Sequence, residues 1–406
     1  MNISRITIQN FRGIEKGELL LPKHAVFVGD NNTCKSTVLE AIDLVLGPER
    51  LFRRPVVDEH DFFAGKYLDK DKNPIEIRIE LVVTGLSEEQ RSRFKYHEEF
   101  WDEGRNELIA LQEPEATDRP GVLRAVRVQF IGKYDPEEDD FKGKTYFCHP
   151  ETEEGELAEF GTVDKRLCGF LFLRTIRTGA RALSLERGSL LDIILKLQNK
   201  RLHMWEDILS ELRKLPVAEK KELGIGSLLS HIQHAVRSFV PSDWAENPHM
   251  KVSDLTRENL RKYLSVFMCT GMECESGKYA APFQHQGTGT INTLVLAMLS
   301  MIADLKADVI FAMEEPEIAI PPHTQKQIIH SVRQRSSQAI FTSHSPYVLE
   351  EFNPSHIIVF KRVGGSLSGT SAELPAIVKP KFYRKSTFLR SPSCPPDTAC
   401  GRGYGI

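Results

Sequence analysis

Gly29-Asp30-Asn31-Asn32-Thr33-Cys34-Lys35-Ser36 runs from a glycine to a lysine-serine pair over the span of a Walker A loop, with one departure. The pattern G-x-x-x-x-G-K-S/T places a glycine before the lysine, and here Cys34 stands there. The flanks suit such a loop. Ala25-Val26-Phe27-Val28 is a short apolar run ending at Gly29, as a buried strand does. From Ser36 to Leu46 the apolar residues Val38, Leu39, Ala41, Ile42, Val45 and Leu46 follow helical spacing, and Gly47-Pro48 stops the helix. Loop N–H groups of Asn31, Asn32, Thr33, Cys34 and Thr37, together with the helix start, would cradle phosphates. Lys35 would neutralise them, and the Ser36 hydroxyl would hold Mg²⁺. The competing reading is a chance Gly-to-Lys-Ser spacing on a loop. Cys34 beside an ammonium and a helix start reads either as a reactive thiol or as a small buried stand-in for glycine.

Farther along, Val309 to Met313 is an apolar strand that stops at Glu314-Glu315-Pro316-Glu317. At such a strand end Glu314 would support Mg²⁺ and Glu315 would polarise an attacking water. A strand ending in solvated acids is the plain alternative. Ala339 to Phe341 is a second apolar strand, and it ends at Thr342-Ser343-His344-Ser345-Pro346. His344 there can sense a γ-phosphate and orient water. Ligands gather at the carboxyl ends of strands in a parallel sheet, so the three strand ends are expected at one ATP site. Gln286-Gly287-Thr288-Gly289-Thr290 precedes an apolar helix expected over Asn292 to Leu305. It reads as a second phosphate contact, offered by Gly287, Thr288 and Gly289 to the nucleotide of a partner subunit, or as a plain N-cap turn.

The rest of the chain agrees with a large soluble α/β protein. Its 406 residues exceed what one core usually organises. Apolar residues make up 41% and charged residues 27%, which excludes collagen-like and wholly disordered classes. A net charge of −3 gives no global basic field. No apolar run reaches the length of about eighteen residues that a membrane helix needs, and no membrane partner is expected. The first residues lack a secretory apolar stretch, and seven scattered cysteines suit a reducing compartment, so a cytoplasmic location is expected. Ile6 and Ile8 alternate with polar neighbours, as do Ile75 to Val83 and Val126 to Phe130, which predicts half-exposed strands. Asp135 to Asp140 and Glu151 to Glu156 read as solvated loops. Leu190, Leu191, Ile194, Leu195 and Leu197, then Trp205, Ile208, Leu209 and Leu212, are helically spaced. His323 to Arg335 predicts an amphipathic helix and His356 to Phe360 a strand. The expected divisions are an N-terminal lobe over 1–180, a helical insertion with a dimerising edge over 181–265, a C-terminal lobe over 266–378, and a basic linker with a disordered tail over 379–406.

The ordered set Asn10-Phe11-Arg12-Gly13, Gly29 to Thr37, Phe172-Leu173-Arg174, Gln286 to Thr290, Glu314 to Glu317 and Thr342 to Pro346 resembles an ABC-type ATPase head of the SMC/RecF kind. Most similar is the ATPase module of the overcoming-lysogenization-defect (OLD) family of ATP-dependent endonucleases. The resemblance implies an α/β P-loop NTPase head with a mixed sheet flanked by helices, plus a helical insertion. It implies Mg²⁺-dependent ATP hydrolysis by a homodimer closing around two nucleotides, in DNA processing or phage defence. By the same resemblance Arg12 lies near the nucleotide, Gly287 to Thr290 stands at the ABC signature, and Glu317 to Pro322 is the D-loop, with Ala319 and Pro321 departing from it. Gln129 is the candidate Q-loop residue. OLD proteins continue into a Toprim nuclease, whose two-metal chemistry needs clustered carboxylates. After Glu373 the only acid is Asp397, so nuclease activity is not expected of this chain. A truncated product or an ATPase serving a separate nuclease or effector subunit would have such a sequence.

Three further stretches stand outside these motifs. Cys269 and Cys274 with Cys148-His149 have no second tight pair, so zinc is not expected. Lys379 to Arg390 interleaves basic and aromatic residues, which suits DNA phosphates or a solvated linker. His60-Asp61-Phe62-Phe63 carries no expected role beyond packing. The rival to a hydrolysing head is an ATP-switched DNA clamp with negligible turnover. The missing coiled-coil arms speak against it.

Overall fold

The computed structural model describes residues 1–48, 55–109, 119–151, 156–173, 184–185, 189–198, 201–214, 225–236, 256–274, 277–287, 290–291, 294–295, 297–298, 301–302, 309–318 and 322–372. The chain divides into two compact units, Met1–Arg177 with Leu299–Ile406, and Thr178–Met298.

In the first unit, apolar alternation produces strands with one wet face. Ile6 and Ile8 point inward from β1 (Asn2–Phe11), and Ile77, Ile79, Leu81 and Val83 from β4 (Ile77–Thr84). On the other face charges form a ladder. Arg5 pairs with Glu80 at 3.2 Å, and Arg127 with Glu99 at 3.1 Å. β2 (Ile14–Leu20), β5 (Glu98–Asp102), β6 (Glu107–Ile109), β7 (Val122–Asp135), β8 (Asp140–Glu151) and β9 (Leu157–Glu159) complete this antiparallel lobe. The acidic stretch Asp135 to Asp140 is the β7–β8 hairpin turn.

Continuous apolar runs produce the strands buried on both faces. β3 (His24–Val28), β13 (Ile310–Glu314) and β14 (Gln338–Thr342) are buried throughout. With β10 (Phe170–Leu173) and β15 (Ile357–Val363) they form a parallel core in the order β10-β13-β14-β3-β15. β16 (Ser366–Ser371) pairs antiparallel with β15 and parallel with β2, and so joins the core to the lobe in one mixed sheet. This is the expected mixed α/β sheet flanked by helices. The helix α1 (Lys35–Leu46) lies on it, with Val38, Leu39, Ile42 and Val45 in the same apolar core as Ile6, Ile79, Phe130 and Ile340.

Two buried polar side chains fasten distant sequence together. Gln338 accepts from the Ile3 N–H at 2.7 Å and donates to the carbonyls of Ile3 at 2.9 Å and Pro22 at 3.1 Å. Lys165, in the helix Thr162–Cys168, donates to the Leu44 carbonyl at 2.8 Å and so serves an orphan acceptor in the last turn of α1. Burial pulls the Lys165 ammonium down to about 7, against the opposing charge of Asp43.

The second unit contains the helices Leu190–Leu197, Arg201–Lys214, Ile225–Val236 and Arg257–Tyr263. Trp205, Leu209 and Leu260 form its apolar centre, with Ile208 and Leu212 against them, as the helical spacing predicts. This unit runs past residue 265 and takes in the hairpin of β11 (Phe267–Cys274) and β12 (Gly277–Pro282). Most of the expected helix Asn292 to Leu305 lies outside the described residues, as do Arg174, Ala319, Pro321 and the segment Lys379 to Arg390 with the tail after it.

Candidate functional site

The Gly29–Ser36 loop leaves the end of β3 and enters α1. Gly29 has φ 150°, and a Cβ there would lie 2.9 Å from the Phe360 carbonyl, so only glycine fits between the loop and β15. Thr33 folds the loop back by donating its hydroxyl to the Asp30 carbonyl at 2.8 Å. Asn31, Asn32 and Ser36 are exposed, and Thr37 is half-buried. Lys35 is buried and donates its ammonium inward to the carbonyls of Gly29 at 2.7 Å and Asp30 at 2.9 Å. Burial lowers the Lys35 ammonium below the usual lysine range, while the charges of Glu315, Asp30 and Glu317 act to raise it. Lys35 and the carboxylates after β13 therefore share one electrostatic neighbourhood.

Cys34 explains the glycine of the pattern. Its φ of 68° is left-handed, where a Cβ is costly and glycine is not. The thiol is buried and turned from the loop toward Gly13 and Arg362, with Sγ 3.5 Å from Arg362 Nη1. Of the two readings of this cysteine, that placement fits the small buried residue.

The acidic strand end is held as tightly. Glu314 closes β13 and is buried. Glu315 follows in the left-handed region at φ 41°, fixed by its N–H donating to the Thr342 carbonyl at 2.9 Å. A non-glycine residue in that region is a local strain that the surrounding structure must impose. Glu317 accepts from the Ser343 hydroxyl at 2.8 Å and from the His344 N–H at 2.7 Å. The Ser343 N–H donates to the Phe27 carbonyl at 3.2 Å, and the Ser345 hydroxyl donates to Gln325 at 2.6 Å. Ser343 and Ser345 are buried while His344 between them is exposed. The hydrogen bonds thus fix the turn and leave the imidazole outward.

β3, β13 and β14 are parallel, so the loop, Glu314-Glu315 and His344 emerge from one end of the sheet. Arg12 lies beside this group but is occupied. It donates to Asp61 at 2.7 Å, pairs with Glu40 of α1 at 2.9 Å, and lies over the Phe11 ring. Burial opposes its charge, and those two carboxylates outweigh the burial, raising its pKa. Asp61 was legible only as packing. Its role sits in a short capping turn in which Asp58 accepts from the His60 N–H.

Gly287 lies in the second unit, where its carbonyl accepts from the N–H groups of Thr290 at 3.0 Å and Ile291 at 3.2 Å, as at a helix start. Thr288 and Gly289 lie outside the described residues. Gln129 pairs with Glu80 and Tyr146 in the middle of β7, and no described contact joins it to the loop. Among the described residues, no group of three or more His, Cys, Asp or Glu side chains is arranged to hold a metal by itself. Among them, too, no helix is long and apolar enough to cross a membrane.

No curated protein matches the chain. Solved structures similar to it at low identity include three SMC head domains. The "SmcHead bound to the C-winged helix domain of ScpA" is 12% identical, covering 92% of this chain and 99% of that one, with a TM-score of 0.48. The SMC head domain from Thermotoga maritima is 10% identical over 92% and 100%, with a TM-score of 0.42. The Smc head domain with an extended coiled coil bound to the C-terminal domain of ScpA, from Pyrococcus furiosus, is 13% identical over 91% and 96%, with a TM-score of 0.45. Residues 1–162, which carry the loop, α1 and the antiparallel lobe, match the model of the AAA ATPase domain family.

Proposed function

We propose that the chain is the ATP-binding and ATP-hydrolysing module of an OLD-family DNA-processing or phage-defence protein. It dimerises around ATP and controls a nuclease or other effector carried elsewhere. The observation that carries the hydrolytic reading is the shared neighbourhood of Lys35, Glu315 and Glu317, with His344 held on Glu317. Lys35 leaves its two loop carbonyls for the β- and γ-phosphates. Glu315 accepts from the attacking water and polarises it, and His344 orients that water against the γ-phosphate. A Mg²⁺ ion would supply charge neutralisation between phosphate oxygens, held through the exposed Ser36 hydroxyl and by Glu314. Magnesium is commonly bound by one or two protein groups plus substrate phosphates, and Ser36 and Glu314 would be those groups.

Gly287, Thr288 and Gly289 are proposed to reach the nucleotide of a second copy. Support for that comes from the sequence order and from the helix start at Gly287.

The test uses Lys35→Ala and Glu315→Gln in the full chain. Lys35→Ala is expected to lose Mg-ATP binding by calorimetry. Glu315→Gln is expected to keep binding within about threefold and to lose turnover by about a hundredfold or more, the scale of positioned proton-transfer groups. Turnover by Glu315→Gln at the parent's rate removes Glu315 from its role. A parent that binds ATP and never hydrolyses it would favour the switched clamp.

A further inference from the structure

We propose that Arg362 is a second phosphate-binding cation of this site, engaging the α- and β-phosphates at the leaving-group end of a bound nucleotide. The proposal rests on the reading of Gly29–Ser36 as an ATP site.

The first observation is the position of β15. It lies on the opposite side of β3 from β14, and its Phe360 carbonyl abuts Gly29 at the start of the loop. Two residues on, Arg362 reaches across the loop. Its Nη1 donates to the Gly13 carbonyl at 3.2 Å and touches Cys34 Sγ at 3.5 Å, at the residue that opens α1. The carboxylates and His344 stand on the β13–β14 side. Attack on the γ-phosphate is in line, so water and leaving group occupy opposite sides of it. With the water on the Glu315 side, the β- and α-phosphates fall toward the β15 side, where Arg362 is.

The second observation is that Arg362 is exposed and has no carboxylate within ion-pair distance among the described residues, its polar contacts being Gly13 and Cys34. Arg12 is the reverse case, held between Glu40 and Asp61. A triphosphate carries several negative charges, and Lys35 is the loop's only cation. A guanidinium lying on the same loop and bound only to a carbonyl and a thiol can exchange those neutral partners for phosphate oxygens, which are stronger acceptors.

The third observation concerns Gly13. Its φ lies outside the left-handed region, so its backbone does not require glycine. Space does. A Cβ at residue 13 would fall 2.5 Å from Arg362 Nη1 and 2.8 Å from Cys34 Sγ. Glycine at the β1–β2 turn keeps a slot open for the guanidinium.

The experiment measures Mg-ATP, Mg-ADP and inorganic tripolyphosphate binding to the full chain, for the parent, Arg362→Ala and Arg362→Lys, with thermal melting to check folding. Arg362→Ala is expected to weaken all three ligands by a similar factor, about tenfold, the loss typical of a charged hydrogen bond. Arg362→Lys keeps the stem and the charge but not the planar fork, and is expected to fall between the two. Should Arg362→Ala unfold, the lysine variant carries the test with the same ordering. Unchanged affinities in a folded variant overturn the proposal. So does a loss confined to ATP, which would put the guanidinium at the γ-phosphate. Weakened ATP with unweakened tripolyphosphate would assign Arg362 to the base instead and also overturns it. A parent that binds no nucleotide, with Lys35→Ala no different, takes down the ATP reading as well, and so is told apart from failure of Arg362 alone.

Discussion

At the scale of single residues, the informative position is the one that breaks its own pattern. Cys34 occupies a left-handed φ where glycine is expected, and it does so with a buried thiol packed on Gly13 and Arg362. Thiol chemistry needs access to the thiolate as well as its formation. In native protein Cys269, which is exposed, is expected to be alkylated well before Cys34. Mass-spectrometric mapping of a short iodoacetamide pulse checks this, and Cys34 labelling first would show that the loop opens readily. Lys35, Ser36, Glu315 and His344 could be proposed from the sequence, because each sits in a motif whose chemistry its neighbours suggest. Arg362, Asp61 and Glu317 were not legible in that way. The contacts of Arg362 with Cys34 and of Asp61 with Arg12 join residues far apart in sequence, and no local pattern encodes that. Glu317 could be placed in a D-loop by resemblance, but its clamp on Ser343 and His344 needed the β13–β14 pairing.

At the scale of elements, helix α1 is bounded by unlike ends. Its first turn faces the loop, and its last turn is served by a buried lysine from another helix. Unfolded, Lys165 keeps its proton to near 10.5, and folded only to about 7. Between those values the unfolded chain binds more protons, so folding stability rises with pH across that window, by at most about 1.4 kcal/mol per unit from this group. Below it both states are protonated and the contribution is constant. Chemical denaturation of the parent and Lys165→Met at pH 7, 8 and 9 should show the parent gaining stability over the variant as pH rises. Parallel curves would mean that the ammonium is solvated. The strands were readable as elements for two reasons. Buried ones are unbroken apolar runs, and those of the lobe alternate. Their order was not readable, since hydropathy does not say which strand pairs with which. The placement of β16 between β15 and β2, which makes one sheet of core and lobe, left no mark in composition.

At the scale of the whole molecule, the first unit is closed by contacts between the two ends of its sequence. Gln338 meets Ile3 and Pro22 through three buried hydrogen bonds. Gln338→Leu keeps much of the volume and strands an N–H and two carbonyls, each costing about 1–3 kcal/mol when buried without a partner. A loss on the order of 3 kcal/mol is expected by chemical denaturation, and a loss under about 1 kcal/mol would show that water replaces the amide. The strand that leads into Gly29–Ser36 shows the same dependence. β3 has β14 on one side and β15 on the other, and none of its partners comes from the first 173 residues. On the ribosome the loop is therefore made early and completed late. Until residues 338–359 emerge, β3 has two open edges, which are sticky in any nascent chain. A chain arrested before β14 would present Gly29–Ser36 at the end of an unpaired apolar strand, a segment of the kind that chaperones cover.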